Sequence, residues 1–97
     1  MGAPCMIRRR LVVTGKVQGV FYRAWFSDEA RALGLEGWVR NRADGSVEAV
    51  VQGPPGAVDE IVARAAEGSP ASRVEDVRAS NDAPEEPLQG FTQRPTA

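Results

Sequence analysis

Ninety-seven residues, 42% of them apolar and 26% charged, suit one globular domain spanning 1–97 and leave no room for two. A formal net charge of −1 speaks against a general nucleic-acid-binding surface, and the complete absence of histidine excludes a Ser-His-Asp triad, a phosphohistidine intermediate, imidazole base catalysis and histidine-ligated zinc. Cys5 is the only cysteine, which excludes an intrachain disulfide or a cysteine metal cluster, and no apolar run approaches the ~20 residues that cross a bilayer, so a reducing, cytoplasmic setting is expected.

Residues 1–7 read as a loose leader. Residues 8–14 alternate as a strand, with Leu11 and Val13 on one face and Val12 and Thr14 on the other; the arginines at 8, 9 and 10 read as a solvated strand start. From Tyr22 to Leu33, Tyr22, Trp25, Phe26, Ala30 and Leu33 follow helical spacing, and Gly34 is placed to end that helix with a left-handed cap. The aromatic pair Trp25 and Phe26 reads as core packing against a sheet rather than as a stacking surface. Residues 35–42 and 46–53 are two strand-like runs flanking Ala43-Asp44-Gly45, and Asp-Gly is a strong hairpin signal. In the first run Leu35, Gly37, Val39 and Asn41 share a face, which places a polar amide near the hairpin end of the core face. In the second, Val47, Ala49 and Val51 face the core.

After Pro54-Pro55-Gly56, the spacing of Val58, Ile61, Val62 and Ala65 predicts a second amphipathic helix ending at Gly68. Residues 73–80 form a weaker strand whose broken alternation implies a bulge. Residues 81–89 read as an acidic surface loop, and Phe91 anchors a last short strand. The order strand, helix, strand, strand, helix, strand predicts an α+β ferredoxin-like sandwich, an antiparallel sheet of order 4-1-3-2 with two helices on one face.

Between the first strand and the first helix, Gly15-Lys16-Val17-Gln18-Gly19-Val20-Phe21-Tyr22-Arg23 crosses two glycines and delivers an arginine onto the helix start. Backbone amides in such a loop can converge on an oxyanion, assisted by the partial positive charge of the helix start. Arg23 adds a planar, permanently charged fork that matches two phosphate oxygens at once. This is not a Walker-type P-loop: the order of Gly15 and Lys16 does not fit, and no Ser or Thr follows to hold magnesium, which disfavours nucleotide hydrolysis. Lys16 and Arg40 are read as ordinary solvated charges.

Together with Gly37-Trp38-Val39-Arg40-Asn41 and Asp44-Gly45-Ser46-Val47-Glu48, this stretch resembles the acylphosphatase family, and the likeness continues through Gly53, Ser69-Pro70 and Val74 to Val77. The resemblance implies a ferredoxin-like fold and an enzyme that hydrolyses the carboxyl-phosphate bond of small acyl phosphates, with no metal and no cofactor. Arg23 stands at that family's phosphate-binding arginine and Asn41 at the asparagine that orients the attacking water. The expected partner is a small acyl phosphate, not a nucleic acid or a membrane, and a monomer is expected. Two departures stand out. The aromatic before the arginine, commonly phenylalanine, is Tyr22; and Gln93 replaces the apolar residue that usually follows the last phenylalanine, which puts the final strand in question rather than the site.

The residues supply a physical reason for this chemistry. An acyl phosphate is an activated mixed anhydride, so its leaving carboxylate needs no strong general acid. Amides of Gln18, Gly19, Val20, Phe21 and Tyr22 would wrap the phosphoryl oxygens, Arg23 would offset transition-state charge, and Asn41 would hold a water in line with the scissile bond. Taken singly, Arg23 is an ordinary surface arginine and Asn41 a turn residue; brought together by neighbouring elements at an anion loop, they form a site. The alternative is a non-catalytic phosphate-binding or anion-binding module. An RNA-binding module would need exposed aromatics on the central strands, which instead offer Val12, Thr14, Glu48 and Val50 outward.

Overall fold

Alternation along the first strand decides the architecture, because Leu11 and Val13 have no exposure at all while Thr14 lies in water. A computed structural model describes residues 6–97, so most of the expected leader, with Cys5, lies outside the described residues. The elements are β1 (Ile7–Lys16), α1 (Tyr22–Ala32), β2 (Glu36–Asn41), β3 (Val47–Gly53), α2 (Pro55–Glu67), β4 (Arg73–Ser80) and β5 (Phe91–Gln93). β1 runs antiparallel between β3 and β4, and β3 pairs antiparallel with β2. The sheet order is β4-β1-β3-β2-β5, a ferredoxin-like sandwich with a fifth strand added beside β2. That strand is parallel to β2, so the sheet is mixed rather than purely antiparallel, and β2 is not an edge.

The helices cover one face. Tyr22, Phe26 and Ala30 of α1 and Val58, Ile61 and Ala65 of α2 close on Leu11, Val13, Val39, Val47, Ala49 and Val51 of the sheet. Each fully buried large side chain, such as Phe26 or Ile61, contributes roughly 1.5–3 kcal/mol relative to an exposed one. α1 stops one residue before the expected end, in a Schellman motif. Gly34, at φ 71°, donates to the Arg31 carbonyl at 3.0 Å, and Leu35 donates to the Ala30 carbonyl at 3.0 Å. The bulge expected in β4 is present: the register with β1 shifts between Thr14 and Gly15, leaving Glu75 without a partner.

The helix-free face departs from expectation. Glu48 and Val50, read from the sequence as facing outward, are 4% and 0% exposed. Arg40, directly opposite Glu48 on β2, and Arg10, from β1, both donate to the Glu48 carboxylate. The guanidiniums of Arg40 and Arg94 each lie over the Trp38 ring, 4.7 Å from its centroid, and the Trp38 indole N–H donates to Glu86 at 2.9 Å. Arg8 donates to Gln52 at 2.8 Å and to the Pro84 carbonyl at 2.6 Å, drawing the acidic loop toward the same face. Arg8, Arg10 and Arg40 are therefore half-buried and engaged rather than solvated. No helix among the described residues is long and apolar enough to cross a membrane.

Burial by itself would raise the Glu48 pKa, but the hydrogen bonds and charges of Arg10 and Arg40 outweigh it and hold the carboxyl below its ordinary range. A depressed folded-state pKa contributes stability above the unfolded value of ~4.3 and loses it as pH falls through the folded value. Glu48→Gln is expected to cost about 2 kcal/mol at pH 7, by leaving two arginines without their counter-charge, and the gap to wild type should narrow as pH falls below ~4.3 and through the lowered folded-state pKa. Thermal melts of both proteins at falling pH, from 7 into the acid range, check this; a gap that does not narrow at all as pH falls would show that packing, not charge, holds the residue.

Candidate active site

Two elements converge at the open end of α1. β1 continues through Lys16, two residues beyond its expected end, so the loop proper is only residues 17–21. Gly19 has φ 73°, and Phe21, the N-cap of α1, adopts the left-handed conformation at φ 60°, ψ 23°. Phe21 is the one non-glycine residue with positive φ among the described residues. Such a backbone costs on the order of 1–2 kcal/mol and persists where the surroundings determine it, as at ligand-binding sites. Left-handed positions at 19 and 21 interrupt the chain in the manner that turns successive N–H groups toward one side. Among the described residues, the N–H groups of residues 18–23 have no protein acceptor. A row of free donors at a helix start is a site for an anion.

A cavity of about 210 Å³ opens at this point. Gly19, Phe21, Tyr22, Arg23 and Asn41 line it, as the sequence suggests, while Gln18 and Val20 do not. Val17, Ala24 and Gln93 line it as well and escape sequence reasoning. Gln93 shares the alternation of Phe91, and so the core-facing side of β5, which becomes readable only once that strand is seen to pair with β2. The expectation that the final strand leaves the site untouched is therefore corrected.

Each side chain has a distinct environment. Arg23 makes no side-chain hydrogen bond or ion pair among the described residues, which leaves its guanidinium available. Asn41, the last residue of β2, has its Oδ1 buried with no partner, an arrangement that costs roughly 1–3 kcal/mol unless something in the cavity supplies a donor. The sequence points to the backbone N–H of Gln18, which has no protein acceptor among the described residues; its side chain has a task of its own. Its Nε2 donates to the carbonyls of Arg42 and Ser46, both at 2.8 Å, tying the loop to the β2–β3 hairpin just beyond Asn41. That hairpin is closed by Asp44, whose Oδ1 accepts from the Ser46 hydroxyl and N–H; these bonds hold the Asp44 carboxyl below its usual range.

Tyr22 turns away from the solvent. Its ring is 1% exposed and tilts against Trp25 and Phe26 with centroids 5.2 and 6.2 Å apart, and its hydroxyl donates to the Ala65 carbonyl of α2 at 2.9 Å. Burial pushes the phenol pKa up, so this hydroxyl is a structural donor and not an acid-base group. The cavity lining contains no carboxylate, imidazole or thiol. Among the described residues, no group of three or more His, Cys, Asp or Glu side chains is placed to hold a metal ion.

Comparison with known proteins points in one direction. The acylphosphatase family model matches residues 9–93. The chain is 58% identical to an acylphosphatase of Rhizorhabdus wittichii over 96% of its own length and 93% of the relative's. It is 49% identical to an acylphosphatase of Rhodospirillum rubrum, over 87% of this chain and 91% of that one. The crystal structure of acylphosphatase from Bacillus subtilis superposes with a TM-score of 0.85 at 36% identity, covering 93% of this chain and 99% of that one.

Tyr22→Phe isolates the hydroxyl. It is expected to lower stability by about 1–2 kcal/mol, because the Ala65 carbonyl loses its donor, without weakening the binding of inorganic phosphate. Thermal melts and phosphate titration of the variant check this; weakened phosphate binding would assign the hydroxyl to the cavity.

Proposed function

The chain belongs to the acylphosphatase family, and from that premise we propose that it hydrolyses the carboxyl-phosphate bond of small acyl phosphates by direct attack of a water held by Asn41. The observation that carries this reading is the unpartnered Oδ1 of Asn41 in the same cavity as Arg23 and the free amides of the loop. An anion-binding module would need the loop and the arginine alone. A buried acceptor beside them suits a neutral hydrogen-bond donor, and water is the one the chemistry requires.

The phosphoryl group sits in the loop, its oxygens taking N–H donors from residues 18–22, with the Arg23 guanidinium in charge-assisted, bidentate contact. Charge on the equatorial oxygens in the transition state is met by donors already in place. Asn41 aims the water at phosphorus opposite the leaving oxygen. The new P–O bond forms as the P–O bond to the acyl group breaks, the electron pair leaves on the carboxylate, and the water's proton passes to a phosphoryl oxygen. No covalent phosphoenzyme and no metal enters the scheme; the leaving group is good enough to depart without a general acid.

Purified protein with benzoyl phosphate and excess chelator is expected to turn over. Arg23→Ala should lose at least ~10²-fold in kcat/KM through both binding and rate, and Asn41→Ala a similar factor mainly in kcat. Loss of turnover on adding chelator would overturn the metal-free scheme, and near-normal activity of either variant would move the site elsewhere.

A further inference from the structure

We propose that Gln93 is a second holder of the attacking water, working beside Asn41; this rests on the hydrolytic reading of the cavity given above. β5 pairs in parallel with β2, Phe91 opposite Gly37 and Gln93 opposite Val39. Phe91 is 3% exposed, with its ring 5.8 Å from Phe26, so alternation sends Gln93 to the same helix-covered face. Asn41 lies on that face too, one strand across and two residues beyond Val39. Strand spacing of ~4.8 Å and a rise of ~3.3 Å per residue leave the gap within reach of a side chain as long as glutamine.

The position of β5 is fixed from two sides. The Arg31 guanidinium of α1 donates twice to the Phe91 carbonyl, at 3.2 and 2.8 Å, and Arg94 N–H donates to the Val39 carbonyl at 2.9 Å. Gln93 makes no side-chain hydrogen bond among the described residues and lines the cavity with Arg23 and Asn41. Both ends of its amide are therefore available.

A single amide does not orient a water. One hydrogen bond to Asn41 leaves the water free to rotate about it, and the lone pair that must meet phosphorus is then aimed only part of the time. A second polar group, donating or accepting, removes that rotation. In-line displacement also fixes the side on which Gln93 acts. The leaving carboxylate departs opposite the water, so a residue neighbouring Asn41 is on the nucleophile's side of phosphorus and away from the acyl group.

The test uses Gln93→Met, which keeps the length of the side chain and removes its hydrogen bonding, with benzoyl phosphate and acetyl phosphate as substrates. We expect kcat to fall about tenfold for both, the scale of one neutral hydrogen bond, with KM, inhibition by inorganic phosphate and thermal stability unchanged. Gln93→Asn, which retains the amide, should keep more of the rate than Gln93→Met. Asn41→Ala combined with Gln93→Met should be no slower than Asn41→Ala within about twofold, because both residues would act on one water. Unchanged kcat, equal loss in the Asn and Met variants, a loss that differs between the two acyl groups, or additive effects in the double variant would overturn the role. If wild type itself fails to turn over, the hydrolytic reading falls and this one with it; if wild type turns over and Gln93→Met matches it, only the role of Gln93 falls.

Discussion

Everything at this site depends on one side-chain amide. Gln18 donates to the carbonyls of Arg42 and Ser46, and with those two bonds it clamps the loop after β1 to the hairpin that ends in Asn41. Without it, an arginine and free amides on one element, and a buried acceptor on another, would share a neighbourhood but not a distance. Each neutral bond is worth only about 1 kcal/mol net, and each is a second donor to a carbonyl that already accepts a backbone N–H within the hairpin, so the bonds tie two segments together rather than rescue an unmet acceptor. Because the Gln18 side chain is committed in this way, only its backbone N–H is left free. A residue next to a cavity can thus shape it without lining it.

The rest of the molecule sorts its charges by engagement. Arg10 and Arg40 close on Glu48, Arg94 on Glu86, Arg31 on the Phe91 carbonyl, and Arg8 on Gln52 and Pro84, all with partners that define their place. Arg23 has none of these ties among the described residues. An unengaged guanidinium is unremarkable on an open surface, but this one faces a cavity whose only buried polar atom without a partner is the Asn41 oxygen. Ser27 and Ser69 also bury a hydroxyl oxygen without a partner, but only at Asn41 does such an acceptor, among the described residues, share a cavity with an unengaged guanidinium and free amides.

Much of this was legible beforehand, and the reasons are local. The 3.6-residue spacing of Tyr22, Phe26 and Ala30, the period of two in Leu11 and Val13, and the Gly34 cap are short-range signals that no distant contact overrode. Asn41 on the core face was readable for the same reason. The role of Gln18, the entry of Gln93 into the cavity, and the burial of Glu48 and Val50 were not, since each depends on pairing between segments far apart in the chain. β5 has three residues, too few for a period to declare itself, and its parallel alignment with β2 is a choice that only the assembled sheet edge can make. Arg10 looked like a solvated charge because its counter-charge lies on β3, far along the chain; the counter-charge of Arg40 lies just across the expected hairpin and was within reach of the sequence.

The central placement of β1 bears on how quickly the chain can reach this state. Its two ladders join Ile7 to Gly53 on one side and Arg10 to Ser80 on the other, so the first strand waits for partners 46 and 70 residues away. Closing such loops costs entropy before any contact repays it, which sets this topology among the slower two-state folders, nearer milliseconds to seconds than microseconds. The anion loop hangs from the end of that same strand. It therefore cannot take its shape early, as a preformed local nest would, and the geometry of the loop is acquired in the same cooperative step that completes the sheet.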